Sequence, residues 1–400
     1  MSRRNLWRRA LSLFPVQGFH FDRPLLVMQS DDWGRVGVRD QDGWEQIRAA
    51  GIDLGERPYD FYTLETAEDV AELLTALERH RDSTGRPACM GMNFIQANLD
   101  FGRMKADGFR RIELLALSEG LPEGWERPGL FDAYRDGIAA GVFHPALHGT
   151  THFCRSAVEP YVHDEGERGD LLGKLWRAGT PYIYWRMPWV GYEYWNPEGS
   201  GDRFLSAEEQ STLIGQATGM FSKMFGGLPH SACAPGYRAN ENTARAWAQF
   251  GISVAQNGPG EYVPPHFIPL HVIPLNFDGN QILQLYRNVE FEPATNPETS
   301  VDDCVRRAGE CFRRGIPAIV SVHSINFHSS LRDFRSGTLA LLDRFLGAIE
   351  MQYPDLLYVH DHELFQLVQN GFVQTKSAKV RVKVTGTKFR RGALARGAEA

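Results

Sequence analysis

The amino-acid sequence predicts an α/β fold with mostly parallel strands. Short apolar runs of strand length alternate with longer segments whose apolar residues recur at helical spacing, and about seven such strand–helix units follow one another. Several of the apolar runs end at acidic residues or histidines. Because the carboxyl ends of parallel strands lie on one face of a barrel or of a doubly wound sheet, this order predicts a single site at that face.

The first predicted strand ends at two adjacent carboxylates. Pro24 precedes the apolar run 25–28, and the chain then reaches Asp31, Asp32 and Gly34. Side chains alternate along an extended strand, so Asp31 and Asp32 can face the same way only if the backbone turns at them. Gly34 makes such a turn easy. The pair could separate a proton-handling acid from a permanently charged ligand; alternatively, it caps a turn and the next helix.

The elements after this strand follow in the same alternating order. Helices begin at capping residues such as Thr66 and Ser206 and end at glycines such as Gly141 and Gly315. The predicted helices cover residues 43–50, 64–81, 132–140, 206–225, 241–250, 300–314 and 337–351, with a last one from Glu363. The predicted strands cover residues 87–95, 142–147, 231–234, 252–255, 317–322 and 356–359, and residues 271–275 and 281–286 are predicted as a side hairpin.

Residues 153–203 interrupt the alternation and form a predicted insertion. Long segments without regular structure in a compact domain are often lids or binding loops, and flat aromatic rings suit stacking on sugar rings. Trp185 and Trp189 are therefore candidate substrate-binding residues; alternatively, the aromatic side chains form a small core of their own. The aromatic residues concerned are Tyr182, Tyr184, Trp185, Trp189, Tyr192, Tyr194 and Trp195.

Charge is distributed unevenly along the chain. The net charge is −6, but four arginines give the first dozen residues +4 and the residues from 376 onward carry +7, so the body between them carries −17. An acidic body argues against nucleic acid as a partner, because phosphate binding needs a basic face. We therefore predict a basic N-terminal segment over residues 1–20, a folded domain over 21–375 and a basic, disordered tail over 376–400.

The five cysteines are scattered, odd in number and without a C-x-x-C pair, which favours a reducing compartment over a disulfide framework. No apolar run reaches the roughly 18 residues of a membrane-spanning helix, and Pro15 interrupts the short apolar stretch after the basic N-terminus. We therefore expect a cytoplasmic protein without a secretion signal. A basic amphipathic N-terminal helix lying on the inner face of a membrane is the alternative.

The segment His148-Gly149-Thr150-Thr151-His152 places two imidazoles four positions apart. Two histidines with one carboxylate and an open position form a typical catalytic zinc site, although an isolated pair at this spacing can also be structural. His148, the Asp31-Asp32 pair, Pro235-Gly236-Tyr237 and His323 each follow a separate apolar run. Their shared position at strand ends predicts that they converge on one active site.

These motifs, in this order, resemble those of the polysaccharide deacetylase superfamily, the NodB-homology type related to carbohydrate esterase family 4. The family has a strand ending in Asp-Asp-Gly, a His-Ser/Thr-x-x-His segment, an Arg-Pro-Pro-Tyr-Gly turn and a late Leu-x-x-His. The corresponding segments here are residues 30–34, 148–152, 234–237 and 320–323, and the resemblance covers about residues 24–365 apart from 153–203 and 257–297. It implies a divergent member with a distorted (β/α)7-type barrel of mostly parallel strands and an aromatic-rich insertion.

The resemblance also implies a role for each motif residue. Asp31 would be the general base, His323 the general acid, and the backbone N–H of Tyr237 would help to stabilise the oxyanion. One divalent metal ion, Zn²⁺ or alternatively Co²⁺, Ni²⁺ or Fe²⁺, would be bound by Asp32, His148 and His152. The partner would be an acetylated sugar or glycan, contacted by Trp33, Arg238, Asn326, Trp185 and Trp189.

The sequence departs from the family pattern at three positions. Ala234 stands where the family has an arginine that pairs with the base, and Arg238 is a candidate to replace it. Without such a cation the pKa of Asp31 would be less depressed. Gly149 occupies the usual hydroxyl position of the second motif, and Trp33 is inserted before the glycine of the first.

The expected function is metal-dependent removal of an acetyl group, N-acetyl in the first instance, from a carbohydrate in surface polysaccharide biosynthesis. Ala234 keeps open the alternative of a catalytically inactive, carbohydrate-binding barrel. A glycosidase that uses two carboxylates is a further alternative, although no second carboxylate beyond the adjacent pair stands out. The sequence leaves the sugar, the native metal and the oligomeric state open.

Overall fold

The computed structural model describes residues 18–258, 275–374 and 379–386. Within these ranges the strands are β1 (His20–Phe21), β2 (Leu25–Trp33), β3 (Met90–Phe94), β4 (Ala97–Leu99), β5 (Leu114–Ala116), β6 (Phe143–Leu147), β7 (Ser231–Cys233), β8 (Val254–Asn257), β9 (Asn276–Phe277), β10 (Leu283–Tyr286), β11 (Val289–Glu290), β12 (Ala318–His323), β13 (Leu357–Tyr358), β14 (Phe372–Gln374), β15 (Lys379–Arg381) and β16 (Val384–Thr385). The helices are α1 (Gln41–Ala49), α2 (Ala67–Glu78), α3 (Phe101–Ala106), α4 (Leu130–Ala140), α5 (Arg155–Val158), α6 (Glu167–Arg177), α7 (Ala207–Phe225), α8 (Glu241–Gln249), α9 (Val301–Arg313), α10 (Arg335–Gln352) and α11 (Asp361–Asn370). None of these helices is long and apolar enough to cross a membrane.

Ten of the strands form one sheet, in the order β11-β12-β2-β3-β6-β7-β8-β10-β9, with β13 also paired to β2. Every pairing in this sheet is parallel except that of β9 with β10. The predicted α/β fold with mostly parallel strands is therefore confirmed. The expected barrel is not closed by the described strands, because the sheet ends at β11 on one side and at β9 on the other.

Strand β2 lies inside this sheet, and the site is built at its carboxyl end. All nine of its residues are buried, as expected for a strand that is covered on both faces. Strand β12 pairs along one edge of β2, from Leu26 to Asp31, and β3 and β13 pair along the other. The end of β2 is therefore surrounded by the ends of neighbouring parallel strands, which brings polar residues from distant parts of the chain next to the Asp pair.

The backbone turns at the Asp pair, as the sequence predicts. Asp32 has a φ of 75°, in the left-handed region that residues other than glycine rarely adopt. The register of β2 against β3 shifts between Ser30 and Trp33. Such an irregularity breaks the alternation of side chains along a strand, and both carboxylates consequently lie close to His148.

Two of the predicted helices begin at the capping residues that the sequence indicates. At the start of α2, Asp69 N donates to Thr66 Oγ1 at 3.1 Å and Thr66 N donates to the Asp69 carboxylate at 2.8 Å. Ser206 and Glu209 form the same reciprocal cap on α7. A cap of this kind stabilises a helix by about 1 kcal/mol, so these helix starts are determined locally.

The segment predicted as a side hairpin belongs to the main sheet instead. Strand β10 pairs in parallel with β8 and, within the described ranges, antiparallel with the two-residue strand β9. Residues 271–274, in the other half of the predicted hairpin, lie outside the described ranges. A hairpin is present only as the short antiparallel pairing of β9 with β10. The predicted position at the side is wrong, because Leu283 and Leu285 are buried in a core cluster of the sheet.

The prediction of a disordered tail is wrong for residues 379–386. Strand β15 pairs with β14, and β16 pairs with β1. Val380 and Val382 are buried with Phe19 and Phe21 in the same core cluster. Fully burying an apolar side chain of this size contributes about 1.5–3 kcal/mol, which accounts for an ordered chain in this part of a basic segment.

The insertion predicted over residues 153–203 contains α5, α6 and several short 3₁₀ turns. Tyr182 and Tyr194 are buried, whereas Trp185 is 52% exposed. Tyr184 and Trp185 contact the ring of Tyr59, so the insertion packs against the segment that follows α1. Its aromatic side chains are thus divided between a small core and an exposed edge.

Candidate metal centre and active site

Asp32, His148 and His152 bring three possible ligand atoms to one point. The Nε2 atoms of His148 and His152 lie 3.5 and 3.2 Å from Asp32 Oδ1, and all three side chains are buried. In a tetrahedral site with metal–ligand bonds of about 2.0–2.1 Å, neighbouring ligand atoms are about 3.3 Å apart. The spacing therefore fits a small divalent ion.

The two imidazoles are oriented by hydrogen bonds on their other nitrogen. His148 Nδ1 lies 2.9 Å from the carbonyl oxygen of Cys233, which can only accept, so Nδ1 donates and the neutral ring has its lone pair on Nε2. His152 Nδ1 lies 3.0 Å from Tyr182 Oη. Burial lowers the pKa of His152 well below its usual value. Partners of this kind commonly fix the ring orientation of metal-binding histidines.

The carboxylate of Asp32 is the clearest sign that a cation fits here. Its buried Oδ1 has no hydrogen-bond partner in the described part of the chain. Arg35 Nη1 approaches it to 3.0 Å, but the guanidinium stacks 4.0 Å from the centre of the Tyr62 ring and does not donate to Oδ1 in a hydrogen-bonding geometry. Burial alone would raise the pKa of Asp32, but Arg35 and the histidines lower it well below its usual value. A charged oxygen facing two imidazole nitrogens fits a metal ligand.

A second group, formed by Asp31, His148 and Cys233, also brings possible ligand atoms together. It is less suited to a metal ion. Asp31 is already engaged in an ion pair with Arg287, and burial raises the pKa of the Cys233 thiol well above its usual value. A protonated thiol is a poor ligand, since the thiolate is the form that binds metals.

Asp31 is paired with Arg287, from the link between β10 and β11. Arg287 Nη1 donates to Asp31 Oδ2 at 2.8 Å and Nη2 donates to Oδ1 at 2.5 Å, in a bidentate arrangement. Asn93 Nδ2 adds a bond to Oδ1 at 2.5 Å. Burial alone would raise the pKa of Asp31, but the Arg287 guanidinium holds it well below its usual range. The carboxylate therefore stays ionised.

Arg287 fills the role that the sequence left vacant at Ala234. The suggestion that Arg238 replaces the family arginine is wrong, because the Arg238 guanidinium lies 4.6 Å from the centre of the Trp195 ring, whereas Asp31 is paired with Arg287. Arg238 therefore stays a candidate for substrate contact only. Arg287 directly follows strand β10, so its position at a strand end could also have identified it.

His323 is held by a buried carboxylate that the sequence did not indicate. Its Nδ1 lies 2.6 Å from Glu292 Oε1, and its Nε2 lies 3.7 Å from Asp31 Oδ2. Burial would lower the pKa of His323, but Glu292 raises it to about 9. His323 is therefore protonated near neutral pH and can donate a proton. Glu292 follows β11 by two residues, which again places it after a strand.

Asn326 does not face an open site. It is fully buried, and its Nδ2 donates to Glu292 Oε2 at 2.7 Å while its Oδ1 accepts from Ala294 N at 2.8 Å. The predicted contact with substrate is corrected accordingly, because both ends of the amide are engaged. Asn326 holds Glu292 in place against His323.

Trp33 and Tyr237 also differ from the expectations. Trp33 is fully buried, donates from Nε1 to Ser30 Oγ at 2.9 Å and stacks on Phe327, so it is a core residue rather than a substrate contact. Tyr237 N donates to Ala234 O at 2.8 Å within a tight turn. Its N–H is thus occupied, contrary to the oxyanion role, while its Oη accepts from Arg287 at 2.8 Å.

The two tryptophans expected to bind substrate lie on the insertion. Trp185 is half-exposed and contacts Tyr184 edge-on. Trp189 packs edge-on against Tyr161 and under the guanidinium of Arg168. Trp185 therefore has an accessible ring, and the contact of either residue with a sugar stays a prediction.

No protein-family model and no curated protein matches the chain. Solved structures similar to it include polysaccharide deacetylases and family 4 carbohydrate esterases. A protein designated a polysaccharide deacetylase from Mycobacterium smegmatis is 12% identical, with 92% of this chain and 94% of that chain covered and a TM-score of 0.43. A protein designated a glycoside hydrolase/deacetylase from Parabacteroides distasonis is 9% identical over 90% and 73% of the two chains, with a TM-score of 0.48. The Streptomyces lividans family 4 carbohydrate esterase is 12% identical over 83% and 90%, with a TM-score of 0.33. Because none of these TM-scores reaches 0.5, the chemistry of the site is inferred from its own geometry.

Proposed function

We propose that the chain is a metal-dependent hydrolase that removes the acetyl group from an N-acetylated carbohydrate. The observation that carries this proposal is the buried Asp32 Oδ1, which lacks a hydrogen-bond partner among the described residues and faces the Nε2 atoms of His148 and His152. The proposed ion is Zn²⁺, with Co²⁺, Ni²⁺ or Fe²⁺ as alternatives, since imidazole nitrogen and carboxylate oxygen suit all four. The motif resemblance makes an acetylated surface polysaccharide, or its precursor, the substrate to test first.

The charged residues around the proposed ion supply the two proton transfers. A divalent ion at this position would act as a Lewis acid on the acetyl carbonyl and would make a water molecule nucleophilic near neutral pH. Asp31 would accept a proton from the attacking water, because Arg287 keeps its carboxylate ionised. His323, kept protonated by Glu292, would donate a proton to the amine nitrogen as the C–N bond breaks. The products would be acetate and the free amine.

The protonated acid suits an amide substrate. Asp31 Oδ2 and His323 Nε2 are 3.7 Å apart, so the base and the acid face the same reacting centre. An amine leaves readily only when it is protonated, whereas an alkoxide of a sugar depends on such a proton less strongly. A protonated His323 beside Asp31 therefore suits an N-acetyl substrate.

The two alternative functions have less support. The inactive barrel rested on Ala234, but Arg287 supplies the missing cation from another segment. A two-carboxylate glycosidase needs a second carboxylate that can reach the substrate. Glu292 is one candidate, and its two oxygens are engaged by His323 and Asn326. Glu193 is another, and its Oε1 is engaged by the backbone of Thr150 and Thr151.

Acetate release from purified protein tests the proposal. The protein is stripped with a chelator, reloaded with Zn²⁺ and incubated separately with an N-acetylated chito-oligosaccharide, an O-acetylated xylan and nitrophenyl glycosides. We expect acetate from the N-acetylated substrate only when metal is present. His148→Ala should lose bound metal and activity together, while His163→Ala, at an exposed histidine of the insertion, should retain both. Full activity of His148→Ala, cleavage of the glycosides, or metal binding without any acetate release would each contradict the proposal.

A further inference from the structure

Glu193 connects the insertion to the loop that carries the two histidines. Its carboxylate is buried, with 2% of the residue exposed. Oε1 accepts hydrogen bonds from Thr150 N at 2.8 Å and Thr151 N at 3.3 Å. These two N–H groups lie between His148 and His152, so Glu193 fixes the backbone of the proposed metal-binding loop from outside the loop.

The glycine in this loop is required by the position of Glu193. Gly149 has a φ of 81°, in the left-handed region, and a Cβ added to it would lie 2.0 Å from Glu193 Oε2. Any side chain at position 149 would therefore displace the carboxylate. The Glu193 carboxylate occupies the space that a side chain at position 149 would need. This explains why the chain has glycine where the motif has a hydroxyl residue.

A second residue of the insertion holds the other histidine. Tyr182 Oη lies 3.0 Å from His152 Nδ1, and both side chains are buried. The insertion is joined to the chain just after His152 as well, because Cys154 N donates to Val190 O at 2.9 Å. Residues 182–193 thus contact the backbone of the loop, the imidazole of His152 and the residue Cys154 that follows the loop.

Glu193 is difficult to explain as a stabilising residue alone. Its Oε2 makes no hydrogen bond of standard geometry to any residue within 18–258, 275–374 or 379–386, although the side chains of Thr150 and Tyr194 interact with the carboxylate. A buried carboxylate that is only half satisfied costs free energy relative to an apolar side chain of similar size. A role in holding the backbone of the adjacent loop through Thr150 and Thr151 would account for that cost.

We propose that Glu193 and Tyr182 are positioning residues for the metal ion, so that the aromatic insertion is a structural support of the metal site and not only a substrate lid. The inference rests on the proposed function only in requiring that Asp32, His148 and His152 bind a divalent ion. It requires no substrate. Metal binding and the order of residues 182–193 are then coupled, since each stabilises the same loop conformation.

Metal affinity of single variants tests this directly. Co²⁺ is titrated into the stripped full-length protein, and both the dissociation constant and the visible absorption spectrum of the bound ion are recorded. Glu193→Leu removes the acceptor, and we expect about 10- to 100-fold weaker Co²⁺ binding and an altered spectrum, as for other residues that orient metal ligands. Glu193→Gln retains a carbonyl acceptor for both N–H groups and should keep most of the affinity.

Two further variants separate a positioning role from a general loss of structure. Glu198→Leu removes a glutamate of the same insertion that is 47% exposed and pairs with Arg168 at the surface, and its Co²⁺ affinity should be unchanged. Tyr182→Phe removes only the hydroxyl group, and it should weaken Co²⁺ binding even if Glu193→Leu does not fold. Thermal unfolding of each stripped variant shows whether it is folded.

Hydrogen exchange provides the reciprocal measurement. Addition of Zn²⁺ should slow amide exchange in residues 182–193 of the wild-type protein and should have no such effect in His148→Ala. Wild-type Co²⁺ affinity and spectrum in folded Glu193→Leu and Tyr182→Phe, or exchange in 182–193 that Zn²⁺ does not change, would overturn the inference while leaving the metal site intact. Absence of metal binding by the wild-type protein would instead overturn the proposed function.

Discussion

Replacing Arg287 should destabilise the protein and leave Asp31 unable to act as the proposed base. The two charged side chains are almost completely buried, with 1% and 2% of their surfaces exposed, and Arg287 also donates to Gln29 and Gln256 at 3.1 Å each. Removing one partner of a buried ion pair leaves an uncompensated charge, which costs about 3–5 kcal/mol. Arg287→Met, which has a similar length and no charge, should lower the free energy of unfolding by about that amount.

The same substitution should change the pH dependence in a defined direction. Burial raises the pKa of Asp31, and Arg287 opposes this effect. Without Arg287 the pKa of Asp31 should rise, so the base becomes protonated and activity is lost first at low pH and returns at higher pH. In the wild-type protein the depressed pKa of Asp31 stabilises the fold at every pH above about 3.9, the pKa of an aspartate in the unfolded chain. This stabilisation is lost as the pH falls from about 3.9 toward the pKa of Asp31 in the folded protein. The stability difference between the two proteins should therefore shrink in acid.

Urea unfolding and the pH profile of kcat/KM measure these effects. Arg287→Lys keeps the charge but not the bidentate fork, so it should be intermediate. Arg245→Met removes an exposed pair with Glu241 on one helix and should change stability by less than about 0.5 kcal/mol. If Arg287→Met unfolds at the wild-type urea concentration and retains the wild-type pH profile, the assignment of Arg287 as the counterion of the base is refuted.

Other substitutions test the remaining titratable groups. Burial would lower the pKa of His323 and Glu292 raises it to about 9, so Glu292→Gln should move the basic limb of the kcat/KM profile to lower pH. Burial lowers the pKa of His144 and His360, whose rings are stacked 3.7 Å apart, to about 3. Because unfolded histidines bind protons near pH 6.5, stability should fall as the pH drops from about 6.5 toward 3, by up to about 1.4 kcal/mol per pH unit for each histidine. Urea unfolding at several pH values measures this, and His144→Phe should flatten the dependence; an equal dependence in that variant would contradict the explanation.

Local sequence patterns were sufficient for the residues that stand at strand ends. Asp31, Asp32, His148 and His323 each follow a short apolar run. The parallel sheet brings Asp32 to 3.5 Å from His148 and Asp31 to 3.7 Å from His323. The turn at Asp32 was also predictable, because two adjacent carboxylates at the end of a buried strand cannot share one face without it. These features depend on neighbouring residues and on strand direction alone.

The charged partners of Asp31 and His323 are determined by which strands lie side by side in the sheet. Spacing along the sequence does not reveal which strands are neighbours. Arg287 is 256 positions from Asp31, and Glu292 is 31 positions from His323. A side hairpin over residues 281–286 would place Arg287 away from the site. The parallel pairing of β10 with β8 places it beside the site instead. Burial of Trp33 and Asn326 is similarly a result of packing and has no local signature.

Loss of a motif residue has opposite consequences depending on whether another residue restores its contact. With Ala234 and no replacement, Asp31 would be a buried carboxylate whose pKa is raised by burial, and a protonated carboxyl cannot act as a base. Arg287 restores the charge pair, and Glu193 binds the loop at Gly149 from the insertion. Replacing a buried ion pair by apolar residues is often neutral or stabilising. A chain that only bound carbohydrate would have no need of the Asp31–Arg287 pair, whereas the proposed hydrolase uses it to keep its base ionised.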